Sequence, residues 1–153
     1  MEKLLLFLVQ GIPESSGIIA LSLALARVPQ RWGWIIAAGT VLAVIMFFIR
    51  TSSFAVGLHT VTGLLLNAIL ITIATRVPPT KAFVVVSTSL IIVGFLEMII
   101  FRVYFALKII EPQLTMSSDL LQKLLGLPQA VLIILVALLI PRFMTPKQDV
   151  WKI

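Results

Sequence analysis

The chain contains no cysteine, so disulfides, thiolate metal sites and cysteine nucleophiles are excluded. Charge is scarce as well. Only 12% of the 153 residues are Asp, Glu, Lys or Arg, and there is a single histidine. A soluble domain carries about 25% charged residues. Acidic groups are half as many as basic ones, 6 against 12, for a net charge of +6. No basic stripe accompanies that surplus. The Lys and Arg residues stand singly at the ends of apolar runs, which argues against a nucleic-acid partner and for helix anchors at a membrane surface. One histidine without a cluster of ligands makes a poor metal site, and no metal or other cofactor is expected.

Apolar residues are abundant. Sixty per cent of the chain is hydrophobic, more than a water-soluble core of this length can cover. The solvent for the remainder is lipid. Apolar runs near the ~20 residues that a bilayer demands predict an all-α, polytopic membrane bundle of about five transmembrane helices. They cover about 4–26, 33–49, 54–75, 82–105 and 127–144. Arg27-Val28-Pro29, Arg50, Arg76-Val77-Pro78-Pro79 and Pro141-Arg142 close four of them. Between the last two spans, Ser117-Ser118-Asp119 reads as a helix start and Gly126 as a stop. This predicts a short amphipathic helix over about 118–125, lying on the membrane surface or capping the bundle.

Five spans divide the basic residues between two sides. Arg27, Arg31, Arg76, Lys81, Arg142, Lys147 and Lys152 share one side; Lys3, Arg50, Arg102, Lys108 and Lys123 share the other. The positive-inside rule then sets the expected orientation in the cell membrane, with the N-terminus outside and the C-terminus in the cytoplasm. The sequence Ala26-Arg27-Val28-Pro29 recurs as Thr75-Arg76-Val77-Pro78, which suggests two helical hairpins in parallel. Gly11, Ser15, Ser22 and Ala26 form a small-residue stripe suited to close packing, within one bundle or in a homo-oligomer.

Polar groups inside lipid are costly and mark candidate sites. Glu14 lies inside the first span, with Gln10 one helical turn earlier on the same face and Ser15 beside it. Gly11, Pro13 and Gly17 predict a kinked or broken helix there. His59, Gly63 and Asn67 share one face of the third span. Glu97 is the carboxylate of the fourth, followed by Arg102, which is poorly aligned with it and suited to snorkelling. Gln129 opens the fifth. Measured from the Arg27, Arg76, Lys81 and Arg142 edge at ~1.5 Å per residue, Glu14 and Gln129 lie roughly 20 Å up. Gln10, His59 and Glu97 lie roughly 25 Å up, and Asn67 roughly 14 Å. Four helices thus bring polar groups to one half of the membrane. Glu14 and Glu97 are expected to face the interior, because an ionised carboxylate against hydrocarbon has no partner. The candidate ligand-binding residues are Gln10, Glu14, Ser15, His59, Asn67, Glu97, Arg102 and Gln129; no catalytic set is evident.

Two resemblances bear on function. Gln10-Gly11-Ile12-Pro13-Glu14-Ser15-Ser16-Gly17 is similar to the first motif of undecaprenyl pyrophosphate phosphatases, which implies an enzyme acting on a lipid pyrophosphate. The family's following His and its Pro-Gly-x-Ser-Arg motif are missing. The whole-chain pattern of a short multi-pass bundle with buried Glu and basic inner loops resembles the membrane sensor region of Gram-positive histidine kinases and related small bacterial membrane proteins. That implies a stand-alone relative, or a sensing domain without its output. Three functions follow from these readings. The first is a non-enzymatic binding or sensing module for a small ligand, peptide or lipid, alone or with a partner membrane protein. The second is a small transporter or channel subunit, and the third a lipid pyrophosphate phosphatase-like enzyme.

Overall fold

The structure, a computed structural model, describes residues 1–52, 57–108, 119–148 and 150–152, with the backbone alone for 119–125. The described residues form five helices: α1 (Glu2–Leu25), α2 (Trp32–Thr51), α3 (Leu58–Ala74), α4 (Pro79–Ala106) and α5 (Asp119–Phe143). Four of them, all but α3, contain stretches long and apolar enough to cross a membrane. The 17 residues of α3 span roughly 25 Å at the helical rise, just short of a bilayer core. Large apolar side chains such as Ile69, Ile73, Phe83, Ile91, Phe95 and Leu135 are exposed around the outside. The chain is a multi-pass membrane bundle, and these side chains are its lipid face.

Two expectations need correction. First, α1 runs unbroken through Gly11, Pro13 and Gly17. Proline costs the helix one bond, but the expected break does not occur and the helix continues on both sides of Pro13. Second, no stop occurs at Gly126. One helix extends from Asp119 through Gly126 and Pro128 to Phe143, so the expected amphipathic segment is its opening turns. Gly126 instead faces α1: a Cβ there would overlap the Gln10 amide, so that flexible side chain would have to move aside. Ser117 and Ser118, and the side chains of Leu120, Leu121, Leu124 and Leu125, lie outside the described residues.

Helix α1 is the hub. It packs against α2, α4 and most extensively α5, while α2 meets α3 and α3 meets α4. The contacts α1–α2–α3–α4–α1 close a four-helix ring, with α5 seated outside on α1 and α4. Glycine permits the closest approaches. A Cβ on Gly39 of α2 would stand 2.9 Å from the Ser16 amide nitrogen, and one on Gly17 would meet Ile133 of α5 at the same distance. Such small-residue contacts let helix backbones gain dispersion energy where lipid supplies no hydrophobic drive.

Burial is uneven along the bundle. Ile19, Leu21, Leu23, Ile35, Leu42, Ile71, Val86 and Ile133 are fully enclosed, and all lie toward the end that carries the α1–α2 and α3–α4 turns. In that half Ser22 of α1 lies 2.9 Å from Ser89 of α4, whose hydroxyl donates to the Val85 carbonyl at 2.8 Å. A double-mutant cycle of Ser22→Ala and Ser89→Ala, read by unfolding in detergent, should give a coupling of about 0.6 kcal/mol and under ~2. A coupling indistinguishable from zero would mean each hydroxyl is satisfied by its own helix. Gly11, Ser22 and Ala26 of the small-residue stripe are buried within this bundle, so the stripe is spent on internal packing.

The segment after α5 straps the same end. Lys147 donates its amide to the Arg27 carbonyl, Arg76 to the Val150 carbonyl and Lys152 to the Ala74 carbonyl, at 2.7 to 2.9 Å. Trp151 donates its indole N–H to the Pro29 carbonyl at 2.8 Å and packs edge-on to Trp34. The repeated Ala/Thr-Arg-Val-Pro turns therefore have a structural use. Val28 and Val77 are buried, and both turns hold the strap.

Candidate functional site: a polar cavity inside the helix ring

The opposite half of the ring is hollow. A cavity of about 430 Å³ opens between α1, α2, α3 and α4, with Gln129 of α5 reaching its wall. That volume lies within the roughly 300–1,000 Å³ usual for small-molecule sites. Small residues make the space: Gly11, Ala43, Gly63 and Gly94 all line it. Ile18, Leu42 and Leu90 form an apolar floor, resting on the enclosed half described above.

Seven of the eight candidate residues line this one cavity: Gln10, Glu14, Ser15, His59, Asn67, Glu97 and Gln129. The helical period explains the grouping. Gln10 and Glu14 are one turn apart on α1, and His59, Gly63 and Asn67 recur every four residues on α3. With five helices alternating in direction, residues far apart in the chain arrive at the same depth.

Arg102 is the exception. It is exposed on α4 and does not reach the cavity. Five residues of α-helix turn through about 140° beyond a full circle, so Arg102 points away from Glu97. The cation of the site is Arg50, which the sequence offers only as the last charge of the second span. Its guanidinium lies 5.6 Å from the centre of the Phe7 ring, and both residues line the cavity. The available signal was the face Ala43, Met46, Arg50 on α2, all three of which line the wall. Thr60 is a second lining residue that the sequence reading leaves out.

The polar groups are gathered without being consumed by one another. Among the described residues no carboxylate pairs with Arg50 within 4.0 Å. Asn67 is 7% exposed; its Nδ2 donates to the Gly63 carbonyl at 2.8 Å, while its buried Oδ1 has no partner among the described residues. A buried acceptor left unmade costs on the order of 1–3 kcal/mol. Such groups are retained where something else completes them. Glu14, Glu97 and His59 stand dispersed around the wall; among the described residues no three His, Asp or Glu side chains converge as a metal site would require.

Layering follows from the helical rise. Phe7, Arg50, His59, Thr60 and Glu97 form the rim, and Gln10, Met46, Gly63 and Gly94 the next turn inward. Glu14, Ser15, Ala43 and Asn67 lie about another turn deeper, above the apolar floor. Compared with protein-family models, curated proteins and solved structures, the chain matches none.

Proposed function

We propose that the chain is a non-enzymatic membrane binding or sensing module whose cavity receives a small polar ligand from one side of the bilayer. The observation that carries this reading is that seven polar candidates and Arg50 line one and the same cavity, closed below by a packed half. A through-pathway would need polar groups or small residues along the other half of the ring. That half is packed shut: Ile35, Ile71 and Val86 are fully buried, and its polar groups Ser22 and Ser89 are bonded to each other and to their own helices. The uninterrupted α1 also removes the broken helix that would favour a transporter. The seven basic residues at the strapped end, against five at the other, favour the cytoplasm for that end by the positive-inside rule, and in that orientation the cavity opens outward.

The absence of cysteine makes a direct test simple. Gly63→Cys puts one thiol in the cavity wall, and Ile69→Cys puts one on the lipid face. In oriented vesicles, a membrane-impermeant cationic thiol reagent should modify Gly63→Cys from the outer side only and leave Ile69→Cys unmodified. Modification of Gly63→Cys from both sides would replace the binding module by a transport pathway. No modification from either side would remove the accessible cavity altogether.

A further inference from the structure

We infer that the cavity selects a small zwitterion bearing a primary ammonium and an anionic group, seating the ammonium beside Glu14 and Asn67 and the anion against Arg50. This rests on the binding reading above and names its ligand class. The deep layer is built to accept. Glu14 brings a carboxylate there, and Asn67 brings an Oδ1 that is buried and has no partner among the described residues. The side-chain amide of Asn67 is fixed in that sense, because its Nδ2 is already committed to the Gly63 carbonyl of the same helix. A primary ammonium has three donors and no acceptor, which suits a layer of acceptors. Gln10 and Gln129, also in the wall, can turn their amide oxygens to the third donor.

The rim carries the site's cation, in the layer that also holds Glu97. Arg50 presents a fork of donors, and among the described residues its guanidinium lies against the face of Phe7 rather than on a carboxylate. A guanidinium takes a carboxylate or phosphate in bidentate fashion. A ligand with only an anionic group would have to share the space with Glu14 and Glu97. One with only an ammonium would leave Arg50 uncompleted. A zwitterion satisfies both layers. It can be a free solute, or the headgroup of an aminophospholipid entering from the surrounding leaflet.

The test uses the full chain in phosphatidylcholine nanodiscs and three matched probes measured by calorimetry: phosphoethanolamine, ethylamine and ethyl phosphate. Phosphoethanolamine should bind tightest, with ethylamine about tenfold weaker for loss of a charge-assisted bond. Ethyl phosphate should bind weakest. Arg50→Gln should bring phosphoethanolamine and ethylamine to the same affinity. Asn67→Leu should weaken both by about tenfold, and Asn67→Asp, which restores an acceptor, should recover them. That recovery separates a lost contact from a misfolded variant. A rise in melting temperature in phosphatidylethanolamine over phosphatidylcholine nanodiscs, lost in Asn67→Leu, with no binding of the free probe, would assign the same chemistry to a lipid headgroup. Ethyl phosphate binding as well as ethylamine would overturn the proposal. So would the failure of all three probes and of the lipid. In that last case, one-sided labelling of Gly63→Cys would show that the ligand class had failed and the binding cavity had not.

Discussion

Gly39→Leu is expected to unfold the bundle or leave it at least 3 kcal/mol less stable, about the upper end of the range for overpacking a filled interior. The reason is the identity of what the new side chain meets. Its Cβ alone would stand 2.9 Å from the Ser16 nitrogen and 3.0 Å from its Cα, and would overlap the Ser16 hydroxyl. Backbone cannot swing aside as the end of a flexible side chain can, so α1 and α2 must separate. Their separation would strip Leu42 and Ile35 from the core as well. Gly63→Leu is the matched control. Its Cβ would meet only the Met46 side chain, at 3.5 Å, and the rest of the leucine enters the cavity. Replacing a mid-helix glycine recovers up to about 1 kcal/mol of helix propensity. Thermal unfolding in one detergent should therefore place Gly39→Leu far below the parent and Gly63→Leu at or above it. Equal losses for the two would mean that neither the close α1–α2 approach nor the hollow half of the ring is real.

Trp151→Ala should cost about 2 kcal/mol or more, less than a fully buried tryptophan because the ring is partly exposed. Three contacts go with it: the indole bond to the Pro29 carbonyl, the packing at 5.1 Å on Trp34, and the Arg31 guanidinium 5.1 Å from its ring centre. These tie the strap to the α1–α2 turn, while the backbone bonds of residues 150 and 152 tie it to the end of α3 and the α3–α4 turn. Losing the first set leaves the strap tied to the α1–α2 turn only by the Lys147 amide on the Arg27 carbonyl. Trypsin should then cut after Lys147 and Lys152 faster than in the parent. Trp151→Phe keeps an aromatic packing partner and loses the hydrogen bond, so its loss should be nearer 1 kcal/mol. A parent-like melting temperature and cleavage rate in Trp151→Ala would show that the strap is held by its backbone alone.

The hub position of α1 links these effects to the cavity. The helix that carries Gln10, Glu14 and Ser15 at one end carries Ser16, Gly17 and the core residues Ile19, Leu21 and Leu23 further along. A well-packed lower half holds the upper half open, because α1 cannot tilt into the hollow without breaking contacts with α2, α4 and α5. Preorganisation of this kind lowers what a ligand must spend on ordering the site.

Sequence alone determined the class of this protein, its long apolar segments and the relative heights of its polar groups. Hydropathy and charge are local properties, and a fixed rise per residue turns position along a helix into height in the membrane. That is why Glu14, His59, Glu97 and Gln129 could be placed at similar levels before any contact was known. The face of α3 carrying His59 and Asn67 was legible for the same reason. What only the tertiary structure decided is rotation and neighbourhood. In lipid the outer surface is as apolar as the core, so hydrophobic periodicity does not distinguish the inner face of a helix from its outer one. The sequence therefore could not tell that Arg50 enters the cavity and Arg102 leaves it. Nor could it show that Gly126 faces Gln10 instead of ending a helix, or that one half of the ring is filled and the other hollow. Those outcomes depend on which helices meet and how closely. That in turn is set by glycines whose partners lie on other helices, far away in the chain: Gly39 against Ser16, and Gly17 against Ile133.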